Sequence, residues 1–342
     1  TGRMPPFAEI AAAGVAIGML EPFGVPLAEY GMAERSHEIA KANALIAREV
    51  ADGFSTPDRK RYVAGSLGPG TKAPSLAQIR FAELRDHYQV AAEGLLEGGV
   101  DLFILETHFD LLAVKASIIG VRRAMAKVGR QVPIQCQVTM ELTGRMLVGT
   151  EIGAALAAID PLGVDIVGLN CATGPNEMGE HIRHLSQHAR VPISVLPNAG
   201  LPSVVDGKMH YDLTPEQMET HQRRFVEELG VQVIGGCCGT TPEFIKRLAD
   251  MAPNLTPATR TPQHEPSVAS IYSPVSLKQD LSFLMIGERT NANGSKKFRD
   301  AMLDADYDTC LAMATEQVKD GAHVLDVCVD YVGRDGTGDM DE

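Results

Sequence analysis

Residues 101–140 read DLFILETHFDLLAVKASIIGVRRAMAKVGRQVPIQCQVTM. A short apolar, β-rich run at Asp101–Thr107 gives way to a longer helical pattern at Leu111–Lys127. A second β-rich run follows at Pro133–Met140. The same alternation extends in both directions. Strands are expected at Gly14–Leu20, Arg61–Leu67, Asp165–Cys171, Pro192–Asn198 and Val231–Cys238, with helices at Ala33–Ala51, Ala77–Glu97 and Pro215–Leu229. Alternating β and α elements predict a parallel sheet wrapped in helices. Seven strand–helix units suggest a (β/α)8 TIM barrel whose first strand lies upstream of residue 1. An open doubly wound sheet is the alternative. The barrel is preferred because the residues suited to chemistry fall at strand C-termini all along the series, and in barrels those ends share one face.

The chain has 342 residues, 44% of them hydrophobic. One barrel needs about 250 residues, so residues 1–252 are assigned to it. Residues 253–280 read as a linker, with prolines at 253, 257, 262, 266 and 274. Proline fixes φ and removes an amide donor, which favours extended chain. Residues 281–342 begin a second α/β barrel, with a strand at Phe283–Ile286, a helix near Asp306–Asp320 and a strand at Ala322–Val329.

The formal net charge of −13 comes from 31 basic and 44 acidic residues. Nucleic-acid binders carry a basic surplus or stripe, so no nucleic-acid partner is expected. No apolar run of about 18 residues suggests a membrane span. The six cysteines, at 136, 171, 237, 238, 310 and 328, are too unevenly spaced for a disulfide scaffold. A reducing cytoplasm is the expected location, and clustered thiols there read as metal ligands or catalytic groups.

The sharpest motif is Val233-Ile234-Gly235-Gly236-Cys237-Cys238-Gly239-Thr240-Thr241-Pro242. Two adjacent cysteines end an apolar strand among glycines, which allow tight turns and close approach of a ligand. Cys171 ends another strand in Gly168-Leu169-Asn170-Cys171. Two strand ends on one rim bring three sulfurs together, and three thiolates suit Zn2+ with its fourth position open. A substrate thiol there would be held as a thiolate nucleophile. A single cysteine is usually a buried core residue, and Cys136, Cys310 and Cys328 are read that way.

GLNCATGP at 168–175 and GGCCGTTP at 235–242 resemble the two zinc motifs of the homocysteine methyltransferase family. VAGSLGPGTK (63–72), ETHFDLLAVKA (106–116), VLPNAGLP (195–202) and IGERTNANGSKKFR (286–299) resemble the cobalamin-dependent methionine synthase branch of it, the last being like the opening of its folate domain. The resemblance implies zinc on Cys171, Cys237 and Cys238, with homocysteine bound through sulfur and its amino group held by Glu106. It implies attack on methylcobalamin to give methionine, with 5-methyltetrahydrofolate remethylating the cobalamin. The cobalamin-binding domain of the same full-length protein would be the partner. It also implies folate contacts from Glu288, Asn291 and Asp326 in the second unit.

Without the resemblance, Glu106 reads as a solvated strand-end acid and His108 as a satisfied structural histidine. His181, His184 and His188 share one helix face, read as exposed. Asn198 ends the strand between those bearing the cysteines and is a further substrate-binding candidate. The chain departs from the family in three places. The family's first strand is absent. Leu20-Glu21-Pro22-Phe23-Gly24 stands where a longer Glu-Thr-Asn-Thr-Phe-Gly is usual. Asp326-Val327-Cys328 replaces Asp-Val-Asn. The alternatives are a cobalamin-independent homocysteine S-methyltransferase and an inactive fragment that retains the motifs.

Overall fold

A computed structural model describes residues 15–17, 24–205 and 207–341. The segment Leu20–Phe23, where the sequence departs from the family it resembles, lies outside the described residues. The chain divides into two compact units, Thr1–Pro274 and Val275–Glu342.

Among the described residues, the first unit is built on seven parallel strands: β1 (Val15–Ile17), β2 (Tyr62–Leu67), β3 (Leu102–His108), β4 (Ile134–Val138), β5 (Ile166–Asn170), β6 (Ile193–Leu196) and β9 (Val233–Ile234). They pair strictly in chain order, each parallel to the next. A doubly wound sheet reverses its strand order at a switch point; this sheet never does. The winding is therefore that of a TIM-type barrel, as the alternation predicts, and β1 and β9 are its edges among the described residues.

Helices cover the outer face: α1 (Gly24–Ala28), α2 (Ser36–Gly53), α3 (Phe81–Glu97), α4 (Leu111–Val128), α5 (Ile152–Ile159), α6 (Pro175–His188), α7 (Pro215–Leu229) and α8 (Pro242–Met251). Every residue of β4 and β5 is buried, because strands covered on both faces need apolar residues on both. Phe103 and Leu105 of β3 join the main core with Leu84 and Tyr88 of α3 and Ile118 of α4. Their neighbours Leu102 and Ile104 point to the other face, with Tyr62 and Ala64 of β2. Strand alternation thus separates an inner barrel layer from the sheet–helix layer. The buried Asp110 caps α4, accepting from the amides of Leu112 and Ala113, and ties down the β2–α3 loop through Ser75. Thr214 and Gln217 form a capping box at α7.

Two features go beyond the sequence reading. An antiparallel hairpin, β7 (Pro202–Val205) and β8 (Lys208–Tyr211), is inserted between β6 and α7. The proline-rich stretch is extended, but it is anchored to the barrel at points from Ala258 to Ile271. The Arg260 guanidinium donates to the carbonyls of Ala189 and Val191 at 2.9 and 2.7 Å, just past the C-terminus of α6. The Ala258 amide donates to Val226 O, Gln263 to Gln187 O, and Thr150 Oγ1 to Ile271 O. Prolines set the extension, and the residues between them supply the attachment.

The second unit has two parallel strands, Ile286–Asn291 and Val324–Cys328, with helices Lys296–Leu303 and Tyr307–Lys319. Its strand begins at Ile286, where the sequence reading placed the end. Phe283 is exposed, so that run is not a buried strand. Phe298, Met302 and Met313 form a small core with Ala292 and Val329. Among the described residues no helix is long and apolar enough to cross a membrane.

Candidate active site

Cys171 follows β5 directly, and Cys237 and Cys238 follow β9. The chain turns sharply after β5: Cys171 and Ala172 both take left-handed backbone, at φ 59° and 56°. Such conformations cost roughly 1–3 kcal/mol each and persist where surrounding contacts over-determine them. Here the Cys171 amide donates to Leu196 O, and Thr173 N donates to Cys171 O at 2.7 Å. The second loop is pinned by Cys237 N to Pro197 O at 2.8 Å and by Ala199 N to Cys238 O at 2.9 Å. Both loops are thus tied to the end of β6, which lies between them.

The outcome is a triangle of sulfurs. Cys171 Sγ lies 3.7 Å from Cys238 Sγ, which lies 3.9 Å from Cys237 Sγ, and all three sit within 4.8 Å of one another. A tetrahedral ion with metal–sulfur bonds near 2.3 Å spaces its ligands about 3.8 Å apart. The donor set and its spacing therefore fit zinc. Gly239 follows with φ +78°, and a Cβ there would stand 2.5 Å from the Tyr211 ring. The unanticipated hairpin thus walls the site through its last residue.

Crowding three thiols splits their acidities. Cys171 is pushed down to about 6, first by the hydrogen bond it receives from Cys237. Cys237 is raised, chiefly because it donates that proton, and Cys238 is raised by burial and by the charge on Cys171. The cluster favours one thiolate by itself, and a cation is needed to hold more.

Glu106 lies near the end of β3. Burial raises its pKa, the Ser66 hydrogen bond opposes this, and the charge on Cys171 adds to the rise. Ser66 Oγ donates to one of its oxygens and Asn170 Nδ2 to the other, at 3.2 Å. Thr107 beside it takes φ 60°, a strained conformation for a β-branched residue. A half-buried carboxylate facing a sulfur cluster is suited to binding a cationic amine on a thiol. Asn198 is buried, and its Oδ1 accepts the Cys238 amide at 3.0 Å; the structure places it as a support of the cysteine loop. In the second unit Asn291 Nδ2 donates to Asp326 Oδ2 at 2.9 Å. Glu288 is exposed and joins neither.

His108 is fully buried, and neither ring nitrogen finds a partner among the described residues. It is structural but not satisfied. Burial pushes its pKa down to about 3 from the usual 6.5. Above pH 6.5 both folded and unfolded His108 are neutral, and it has no effect. Below that, the unfolded chain takes up a proton that the folded chain refuses. Stability therefore falls with pH down to about 3 and then levels off. His108→Leu is expected to remove roughly 2–3 kcal/mol of acid destabilisation at pH 4.5, read from urea melts at pH 7 and 4.5. Equal pH dependence in both proteins would refute this. Cys136 is buried in the core. His181, His184 and His188 are half-buried rather than exposed, and the rings of His184 and His188 lie 4.5 Å apart.

The sequence reading missed Ser66, Thr107, Asn170 and Tyr211. Ser66 and Asn170 sat inside motifs quoted for other residues. Their polarity at the ends of otherwise apolar strands was the available signal.

The family model for homocysteine S-methyltransferase matches residues 11–252. The chain belongs to the homocysteine S-methyltransferase family. The pterin-binding enzyme model matches residues 287–342. Methionine synthase of Mycobacterium tuberculosis (strain ATCC 25618 / H37Rv) is 53% identical over 314 residues, covering 92% of this chain. Methionine synthase of Mycobacterium leprae (strain TN) is 51% identical over 319 residues, again covering 92%. The chain spans 26% of the length of each. Among solved structures, the metallated form of the homocysteine methyltransferase MmuM from Escherichia coli superposes with a TM-score of 0.56 at 21% identity. That match covers 71% of this chain and 82% of MmuM, and it supports the barrel-type fold of this homocysteine S-methyltransferase family member.

Proposed function

We propose that the first unit binds zinc through Cys171, Cys237 and Cys238 and activates homocysteine for methylation to methionine. Methylcobalamin would be the immediate donor and 5-methyltetrahydrofolate the ultimate one, as part of a cytoplasmic methionine synthase whose cobalamin-binding domain is the partner. The sulfur triangle beside a half-buried carboxylate carries this reading. Zinc, when bound, supplies a Lewis acid that keeps a substrate thiol deprotonated near neutral pH. The chain's own residues orient the substrate. Glu106 pairs with the amino group, Ser66 and Asn170 hold that carboxylate in place, and Asn198 fixes the loop that presents Cys238. Methyl transfer to sulfur is a displacement, so the protein's task is to present an aligned nucleophile and not to shuttle protons. The Asn291–Asp326 pair in the second unit is the proposed polar anchor for the pterin ring, with Glu288 on the same strand as Asn291. The match to pterin-binding enzymes favours this over a cobalamin-independent enzyme with one barrel.

Glu106→Gln is expected to weaken homocysteine binding roughly tenfold to a hundredfold, the scale of a lost charge-assisted hydrogen bond. Zinc content should be unchanged. Calorimetric titration of the zinc-loaded variant measures both, and native affinity in the variant would remove Glu106 from the site.

A further inference from the structure

Asn170 precedes Cys171 in the first cysteine motif and touches both halves of the site, Glu106 and the sulfur cluster. It is completely buried at the end of β5. Its Oδ1 accepts the Thr107 amide at 2.8 Å. A backbone N–H can only donate, so this contact fixes which end of the side chain is oxygen. Its Nδ2 then faces three acceptors: Thr107 Oγ1 at 2.8 Å, Glu106 Oε2 at 3.2 Å and Cys237 Sγ at 3.8 Å. An amide nitrogen has two hydrogens, so the three acceptors share them. The same side chain holds Thr107 in its left-handed conformation. There the β3–β4 register slips between Leu105 and His108.

We infer that Asn170 is a positioning residue that fixes the Glu106 carboxylate at a set offset from the sulfur cluster, and so selects thiols that carry a cationic amine. Without it, Thr107 loses the side chain that holds its strained backbone, and Glu106 loses one of its two donors. The sulfur cluster keeps all three cysteines. The inference rests on the proposed roles of zinc and Glu106.

The test compares two ligands on the metal-loaded chain: L-homocysteine and 4-mercaptobutanoate, which is the same molecule without the amine. The native chain should prefer homocysteine by roughly tenfold to a hundredfold. In Asn170→Ala that preference should fall below about threefold, mostly by loss of homocysteine affinity. The thiolate-to-metal absorption band of the Co2+-substituted variant should persist. If Asn170→Ala does not fold, Asn170→Asp carries the same test. It keeps an acceptor for the Thr107 amide but cannot donate to Glu106. Preserved discrimination in a folded variant overturns the inference, and so does equal weakening of both ligands, which a merely structural residue would produce. Failure of the native chain to bind metal or homocysteine would instead overturn the functional reading beneath it.

Discussion

Cys237→Ala is expected to leave the purified chain with almost no zinc, where the native chain should carry about one equivalent. Cys237 is one of three sulfurs within 4.8 Å of one another. Removing it leaves Cys171 and Cys238, 3.7 Å apart on separate loops, and two thiolates hold a tetrahedral ion far less tightly than three. The substitution should not unfold the chain. Alanine keeps this loop's backbone hydrogen bonds and its bond to Asn198, and loses only the weak sulfur contacts to Asn170, Cys171 and Cys238. Cys171→Ala and Cys238→Ala should behave alike, whereas Cys136→Ala, in the β4 core, should retain zinc while losing about 1 kcal/mol of stability. Metal analysis of freshly reduced protein reads all four. A full equivalent of zinc in Cys237→Ala would end the zinc-thiolate reading. Because metal binds the folded state, the native chain should also melt at a higher temperature with zinc than after chelation.

Strand order was legible because parallel strands buried on both faces must be apolar throughout. Runs such as Ile166–Asn170 therefore stand out between polar loops. The cysteine triangle was legible because Cys171 directly follows β5 and the Cys237–Cys238 pair lies within four residues of the end of β9, and strand ends of a barrel converge. What escaped was tertiary in origin. The β7–β8 hairpin follows β6 on the site's rim, and its inner end, Tyr211, matters only because Gly239 brings the ring close. His108 is a polar residue at the end of β3, two before Asp110, yet it is fully buried next to the left-handed turn at Thr107. The proline-rich segment resembled free linker by composition, while its anchoring depends on Arg260 reaching helix-end carbonyls that no local pattern reveals. Asn170 was invisible as a site residue because its partners, Thr107 and Cys237, are distant in sequence.

The glycine that opens the first cysteine motif yields the second large expectation. Gly168 of β5 pairs with Ser194 of β6, and a Cβ at Gly168 would lie 2.1 Å from both the carbonyl and the hydroxyl oxygen of Ser194. The hydroxyl could rotate away, but the carbonyl belongs to the ladder, so relief requires the strands to separate. Gly168→Ala is therefore expected to cost roughly 3 kcal/mol or more, beyond ordinary overpacking because the obstacle is backbone. The damage should not stop at stability. Asn170 and Cys171 lie two and three residues further along the chain, and Cys171 is pinned to Leu196 at the end of β6. Spreading these strands pulls one sulfur from the triangle, so zinc affinity should fall even at temperatures where the variant remains folded. Urea melts of the metal-free proteins separate the first effect from the second, and competition with a chromophoric chelator reads the second directly. A variant with native stability and native zinc affinity would mean that the β5–β6 spacing does not set the sulfur positions, and the account of how the fold builds the site would fail.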